Sequence, residues 1–132
     1  MSNGKKNYKV STVGNWQAKG RVTLNSELAL TGSEISLNEL PAGVSVPFVH
    51  SHKRNEEVYV ILKGKGQFYI DGDEFKVEEG NVIRVDSLGE RCITADSETP
   101  IQYICIQTEA NSLIQSVQDD ANILKSKPSW LM

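Results

Sequence analysis

The stretch that decides how this chain folds runs from residue 50 to residue 62 and reads HSHKRNEEVYVIL. It contains the two histidines of the chain, His50 and His52, which stand two residues apart. Alternate side chains of a β-strand point to the same face, so we expect the two imidazoles to lie side by side. The polar residues 53–56 favour a turn, and residues 58–62 are typical of a strand. A chain reversal at that turn brings Glu57 back opposite both histidines.

These three side chains form the ligand set of a predicted metal site. Two imidazoles and one carboxylate on one side of a site, with open positions opposite, suit non-haem iron and related divalent ions. The sequence therefore predicts that His50, His52 and Glu57 bind a divalent cation, with iron, zinc, nickel and manganese all left open. One alternative also stays open, because an exposed strand with two histidines and a nearby glutamate arises by chance in proteins that bind no metal.

The rest of the chain alternates short apolar runs with turn residues. An Asp71-Gly72 pair between two apolar-rich runs predicts a β-hairpin, and Gly64 to Gly66 is interpreted as a further turn. Many short strands at regular spacing favour an all-β sandwich or barrel with at most one short helix, near the C-terminus. The predicted elements are strands at Glu34–Leu40, Gln67–Ile70, Glu74–Val77, Val82–Val85, Arg91–Ala95 and Ile101–Gln107, an irregular strand within 10–23, and a short helix or a strand plus loop within 109–124.

Composition and charge exclude several classes of protein. With 132 residues, of which 39% are hydrophobic and 23% charged, the chain is expected to form one domain over residues 1–132. A net charge of −3 does not suggest a nucleic-acid partner. No apolar run reaches membrane-spanning length, and residues 1–6 precede no apolar signal region. We therefore expect a cytoplasmic protein, without a membrane partner, whose two cysteines are thiols.

The neighbourhood of the histidines resembles the first motif of the cupin superfamily. That motif places two histidines two residues apart, then a glutamate, then a glycine after six intervening residues. Glu57 and Gly64 fit this spacing, whereas Glu56 lies one residue too far from the glycine. The resemblance therefore selects Glu57 as the ligand. It covers about residues 28–108 and implies a jelly-roll barrel, a double-stranded β-helix, with the site inside it.

The second motif of that superfamily matches only in part. Residues 80–85 reproduce its start, but the following turn, residues 86–89, lacks the expected proline. An ungapped match places Arg91 where the third histidine of the family stands, and a turn longer by one residue places Cys92 there. Arg91 then binds an acidic group of a ligand, pairs with Glu57 in a site without metal, or points to solvent. Cys92 is either a buried small hydrophobe or a fourth metal ligand.

Two tyrosines are candidates for the pocket wall. Strand alternation places Tyr59 on the same face as Glu57, and Tyr103 lies on another predicted strand. Both are interpreted as core residues or as residues that line a ligand pocket. The opposite face of the first strand carries Val58 and Val60, so both faces are apolar and both should be covered. This pattern predicts a homodimer, and the resemblance adds that cupins are often dimers.

Three functions are compatible with these features. The first is a metal-dependent enzyme acting on a small molecule, with oxygenase, isomerase and lyase chemistry all open. The second is a non-catalytic module that binds a small polar or acidic ligand, with the metal lost or structural. The third is an interaction protein whose barrel is only a scaffold. A histidine-based catalytic triad is not expected, because the chain has no third histidine.

Overall fold

The structure is a computed structural model that describes residues 6–114 and 120–131. Within those residues the regular secondary structure is mostly β, as the sequence predicts, and the strands form one antiparallel jelly roll. The strands are β1 (Arg21–Thr23), β2 (Glu34–Leu40), β3 (Asn55–Ile70), β4 (Asp73–Glu78), β5 (Val82–Val85), β6 (Arg91–Ala95) and β7 (Ile101–Glu109), with a 3-10 helix (Trp16–Lys19) and a helix α1 (Leu24–Leu28) near the N-terminus.

Strand β3 is the centre of the fold. Its first half pairs with β7 and β5, and its second half pairs with β4 and β6. On the far side of β7 the sheet continues through β2 to β1. One long strand therefore belongs to both faces of the barrel, and the inward side chains of its first half point into the space between them.

The predicted turn at Gly64 to Gly66 is wrong, because β3 runs through it without interruption. The pairing with β7 shifts register between Ile61 and Lys63, so an irregularity stands where the turn was expected. A Cβ on Gly64, whose φ is 81°, would lie 1.9 Å from the Pro100 carbonyl oxygen. A Cβ on Gly66 would lie 2.0 Å from the carbonyl oxygen of Thr94. Glycine is needed here because neighbouring backbones approach the strand closely as it passes from one face to the other.

This close approach makes Gly66 a sensitive position. We expect Gly66→Ala to lower the free energy of unfolding by at least about 2 kcal/mol, because the methyl group meets a backbone carbonyl that cannot move without breaking strand pairing. Urea unfolding measures the change. Gly32→Ala is the matched control, since a Cβ there has nothing within 4 Å and should change stability by less than about 0.5 kcal/mol. Equal stabilities for the two variants would contradict the packing argument.

The N-terminal segment differs from the irregular strand predicted for residues 10–23. Only Arg21–Thr23 is a strand, and a five-residue helix follows it. The Asn25 side chain stabilises this helix and its exit, because it donates to the Ser33 carbonyl at 2.9 Å and accepts from the Ile35 amide at 3.0 Å. These partners lie after the helix in the sequence. The alternation of residues within 10–23 therefore does not predict the helix. Of the predicted element within 109–124, residues 115–119 lie outside the described residues.

The core lies inside the barrel and follows the predicted alternation of β3. Glu57, Tyr59 and Ile61 are buried, whereas Val58 and Val60 are half-buried on the other face. The predicted homodimer is not tested by a single chain. Among the described helices, none combines the length and the apolar character that a membrane span requires. The buried apolar residues are Tyr59, Ile61, Phe68, Val77, Val85, Ile93, Ala95, Ile101, Tyr103 and Cys105.

Candidate metal centre

The segment that carries the two histidines is held against the start of β6. The His50 amide donates to the Arg91 carbonyl at 3.1 Å, and the Arg91 amide donates back to the His50 carbonyl at 2.9 Å. The His52 amide donates to the Ser87 carbonyl at 2.7 Å. Backbone hydrogen bonds thus fix both histidines in an extended segment, and this places their imidazoles next to Glu57, the first buried residue of β3.

The three side chains predicted as ligands come together inside the barrel. One ligand atom from each of His50, His52 and Glu57 lies within 4.8 Å of the other two. The imidazole centroids are 5.1 Å apart, and His52 Nε2 lies 3.0 Å from Glu57 Oε2. Glu57 is only 2% exposed. Among the described residues this is the group of histidine, cysteine and acidic side chains whose atoms lie close enough to share one ion.

The chemistry of this group fits a divalent cation. Two imidazoles and a carboxylate are ligands for zinc, iron, nickel and manganese alike. His50 Nδ1 is buried without a hydrogen-bond partner among the described residues, so it is a polar atom that an ion or a ligand can satisfy. Burial, and to a lesser degree the Arg91 charge, lower the pKa of His50 and favour the neutral imidazole that binds metals.

The carboxylate of Glu57 is held by two further donors. Its Oε1 accepts a hydrogen bond from the Tyr59 hydroxyl at 2.8 Å and another from Arg91 Nη1 at 3.1 Å. Its Oε2 faces His52. The two oxygens therefore differ in their surroundings, because Oε1 accepts hydrogen bonds from Tyr59 and Arg91, whereas Oε2 is directed at His52.

Arg91 is fully buried, with 0% exposure, so the alternative in which it points to solvent is wrong. Besides Glu57, its guanidinium donates from Nη2 to the carbonyl of Asp86 at 2.7 Å and to that of Ser87 at 3.3 Å. A buried arginine is tolerated where a carboxylate and carbonyl oxygens receive its terminal N–H groups, although the Nε of Arg91 is buried without a hydrogen-bond partner among the described residues. The partners of Arg91 come from the turn between β5 and β6 and from β3. These segments are far apart in the sequence, so the sequence alone left the direction of the Arg91 side chain open.

Cys92 follows Arg91 on β6 and lines the same cavity as the three candidate ligands. Its thiol donates to the Val46 carbonyl at 3.2 Å, and it is not part of the group of close ligand atoms. Cys105 is buried on β7, where desolvation is the main cause that raises its pKa to about 12. Both cysteines are free thiols. The role of Cys92 as a fourth ligand stays a prediction without support from this geometry.

A cavity of about 200 Å³ opens over the three clustered side chains. Tyr59 and Tyr103 line it and also belong to the buried core, so both alternatives for these residues describe them. Burial is the main cause that raises the pKa of both tyrosines, so their hydroxyls stay protonated and can donate hydrogen bonds. Glu57 is the one acidic residue among the described residues of the wall.

Two polar residues of this wall were missed by the sequence analysis. Gln107 lies near the end of β7, and Arg21 lies on β1. Arg21 is loosely held, because it lies 3.7 Å from Glu34 and 3.4 Å from the Asn38 side-chain oxygen and its side chain is 56% exposed. No signal in the sequence places Arg21 at the cavity, since only the pairing of β1 with β2 brings it there.

Comparison with known proteins identifies the fold family. The family model for the cupin domain matches residues 36–107, which is more than half of the chain. The chain belongs to the cupin family. The resemblance of the first motif is thereby confirmed, and so is the jelly roll that it implies. In an ungapped match to the second motif of the family, Arg91 is the residue of this cupin that lies where the third histidine is expected.

Three relatives illustrate how far the similarity extends. The crystal structure of a cupin protein from Bacteroides fragilis superimposes with a TM-score of 0.86 at 47% identity, covering 91% of this chain and 99% of that chain. An oxalate-binding protein of Thermotoga maritima is 31% identical over 52% of this cupin and 55% of its own length. The structure of a predicted oxalate decarboxylase, also from Thermotoga maritima, gives a TM-score of 0.53 at 28% identity over 57% of this cupin and 64% of that chain. This cupin spans about half the length of the curated relatives it matches.

Proposed function

We propose that this cupin binds a small carboxylate through a divalent metal ion held by His50, His52 and Glu57. The observation that carries the proposal is the convergence of their ligand atoms, within 4.8 Å of one another, under an open cavity. Three protein ligands leave coordination positions for water or for ligand oxygens. The metal supplies Lewis-acid attraction for those oxygens, and the protein supplies the shape and the remaining charge of the cavity.

The size of the cavity supports a small ligand. Its volume of about 200 Å³ is below the range of roughly 300–1,000 Å³ that is typical of sites for drug-sized molecules. A carboxylate with few carbon atoms is compatible with such a space, and the polar donors of the wall, including the Tyr103 hydroxyl, suit its oxygens.

The charges of the cavity support an acidic ligand. The Arg91 guanidinium offsets the Glu57 carboxylate at 3.1 Å, and imidazoles that bind a metal are neutral. The positive charge of a bound divalent ion is therefore not cancelled by the protein, and Arg21 adds a further positive charge to the wall. An anion with two carboxylates would offset this charge. Among such anions, oxalate is the first to test, because two of the relatives carry oxalate in their names.

The test is a titration of tag-free protein with oxalate by calorimetry. Protein stripped with a chelator and protein reloaded with manganese, iron, nickel or zinc are compared. We expect oxalate to bind at least about tenfold more tightly to the loaded protein, with acetate, which has one carboxylate, binding more weakly than oxalate. Equal oxalate affinity with and without metal would contradict the proposal and favour a metal-free module in which arginines bind the anion.

Arg21 provides a second prediction for the same ligand. We expect Arg21→Ala to weaken oxalate binding to the loaded protein about 5- to 10-fold, because one exposed charged hydrogen bond contributes about 1–1.4 kcal/mol. The affinity for the metal itself should not change. Arg84→Ala, which removes an equal charge from an exposed position, is the control and should leave oxalate binding unaltered. Identical oxalate affinities for the two variants would remove Arg21 from the site.

Catalysis at the same loaded site is the second candidate function. It is favoured by the similarity to the structure named as a predicted oxalate decarboxylase, which is 28% identical over 57% of this cupin. Incubation of each loaded form with oxalate, followed by measurement of formate and carbon dioxide, tests this candidate. Binding without product formation would leave a binding protein.

A further inference from the structure

Arg91 contacts the segments that carry all three candidate ligands. Its guanidinium donates to Glu57, and its backbone amide and carbonyl form a reciprocal pair with His50. The link to His52 runs through one shared acceptor, because the Ser87 carbonyl receives both the His52 amide at 2.7 Å and Arg91 Nη2 at 3.3 Å. Arg91 is thus hydrogen-bonded to Glu57 and to His50, and it shares a hydrogen-bond acceptor with His52.

Arginine cannot take the coordinating role that the third histidine has in the family's motif. A guanidinium has no free lone pair and stays protonated at any ordinary pH, so it does not bind a metal ion. What it does offer is a planar fork of donors. Here the fork reaches a carboxylate with one nitrogen and two backbone carbonyls, those of Asp86 and Ser87, with the other.

The contact with Glu57 determines which carboxylate oxygen can serve a metal. Arg91 and the Tyr59 hydroxyl both donate to Oε1, at 3.1 and 2.8 Å. The other oxygen, Oε2, remains directed at His52. Two donors on one oxygen stop the carboxylate from rotating, in the way that outer partners orient metal ligands in other proteins.

We propose that Arg91 is a positioning residue that replaces a fourth ligand by holding His50, His52 and Glu57 in place from outside the coordination sphere. This inference rests on the proposed metal site. Its consequence is a site with three protein ligands and more open positions for a bound small molecule than a site with four. Arg91 works through its geometry, since its positive charge by itself repels a metal ion.

Arg91→Lys separates geometry from charge. Lysine keeps the positive charge but cannot reach the carboxylate and both carbonyls with a planar fork. We expect its dissociation constant for cobalt(II) and for zinc to rise at least about tenfold, which is the lower end of the effect of removing an outer partner of a metal ligand. The visible absorption of bound cobalt(II), which reports the ligand arrangement, should change as well. Arg84→Lys, an exposed arginine paired with Asp86, is the matched control and should change neither quantity.

Arg91→Met and Tyr59→Phe complete the experiment. Arg91→Met removes the planar fork and also the positive charge that repels a metal ion. A higher metal affinity in this variant would overturn the proposal. A loss of affinity like that of Arg91→Lys would support it. If an Arg91 variant does not fold, as judged by circular dichroism, Tyr59→Phe becomes the deciding variant. It removes the other donor to Oε1, so it should weaken cobalt binding at least about tenfold and shift the spectrum. Unchanged affinity and spectrum in Tyr59→Phe would then overturn the proposal.

The outcomes for the parent protein distinguish this proposal from the proposed function. A parent that binds neither cobalt nor zinc overturns the metal site and, with it, the role of Arg91. A parent that binds cobalt at one equivalent, together with an Arg91→Lys variant that binds it with the same affinity and spectrum, leaves the metal site standing and overturns the positioning role alone.

Discussion

Replacing Glu57 with glutamine should lower the free energy of unfolding of the metal-free protein by about 3–5 kcal/mol. The carboxylate is the charged partner of Arg91, which is fully buried, and the two side chains are 3.1 Å apart. Removal of the negative charge leaves a guanidinium inside the barrel with only carbonyl partners. Urea unfolding in the presence of a chelator, followed by tryptophan fluorescence, measures the effect without a contribution from bound metal.

Glu56→Gln is the control for this variant. It makes the same chemical change one residue earlier, on the opposite face of β3, where the side chain is only half-buried and the structure gives it no ion pair among the described residues. Its stability should stay within about 0.5 kcal/mol of the parent. If Glu57→Gln is as stable as Glu56→Gln, then Arg91 does not depend on the carboxylate, and the ion pair is not a structural element of the barrel.

The variant with both His50 and His52 replaced by alanine should lose the metal and keep its fold. Only one of the three candidate ligands remains in it, so the dissociation constant for a divalent ion should rise by more than about 100-fold. The fold is expected to survive because neither imidazole belongs to the apolar core and the Glu57–Arg91 pair is untouched. Elemental analysis of protein purified without a histidine tag measures the metal, and circular dichroism the fold.

Cys92→Ala is the matched comparison for this experiment. Its thiol donates to a backbone carbonyl and lies outside the group of close ligand atoms, so the variant should retain metal at the stoichiometry of the parent. Metal loss in Cys92→Ala would show that the cysteine is a ligand after all. Full metal retention in the double histidine variant would contradict the assignment of the metal centre to His50 and His52.

The periodicity of the sequence was enough to predict most of the strands and the inward face of β3. Two-residue alternation is a local property, so Glu57 and Tyr59 could be placed on one face without knowledge of the partner strands. The Asp71-Gly72 hairpin is equally local: β3 and β4 pair on either side of it. The spacing of the two histidines and Glu57 likewise predicted a cluster that the structure does bring together.

Other elements depend on contacts between distant parts of the chain. Gly64 and Gly66 have the composition of a turn, but they lie within a continuous strand because the carbonyls of Pro100 and Thr94 approach them closely. Short-range patterns carry no information about which backbone segment will lie against a glycine. The same limit applies to Arg21, which reaches the cavity only because β1 adds to the sheet beside β2.

The difference between what local sequence patterns predict and what distant contacts decide is clearest at Arg91. The sequence alone placed either Arg91 or Cys92 where the family's motif has a histidine, and for Arg91 it left a ligand contact, an ion pair and an exposed position all open. Only the tertiary structure showed that the side chain is buried and paired, because a buried guanidinium is stable only where acceptors from several segments meet it. Glu57 on β3 and the carbonyls of the turn before β6 meet at that point, and no alternation or spacing within one strand specifies such a meeting.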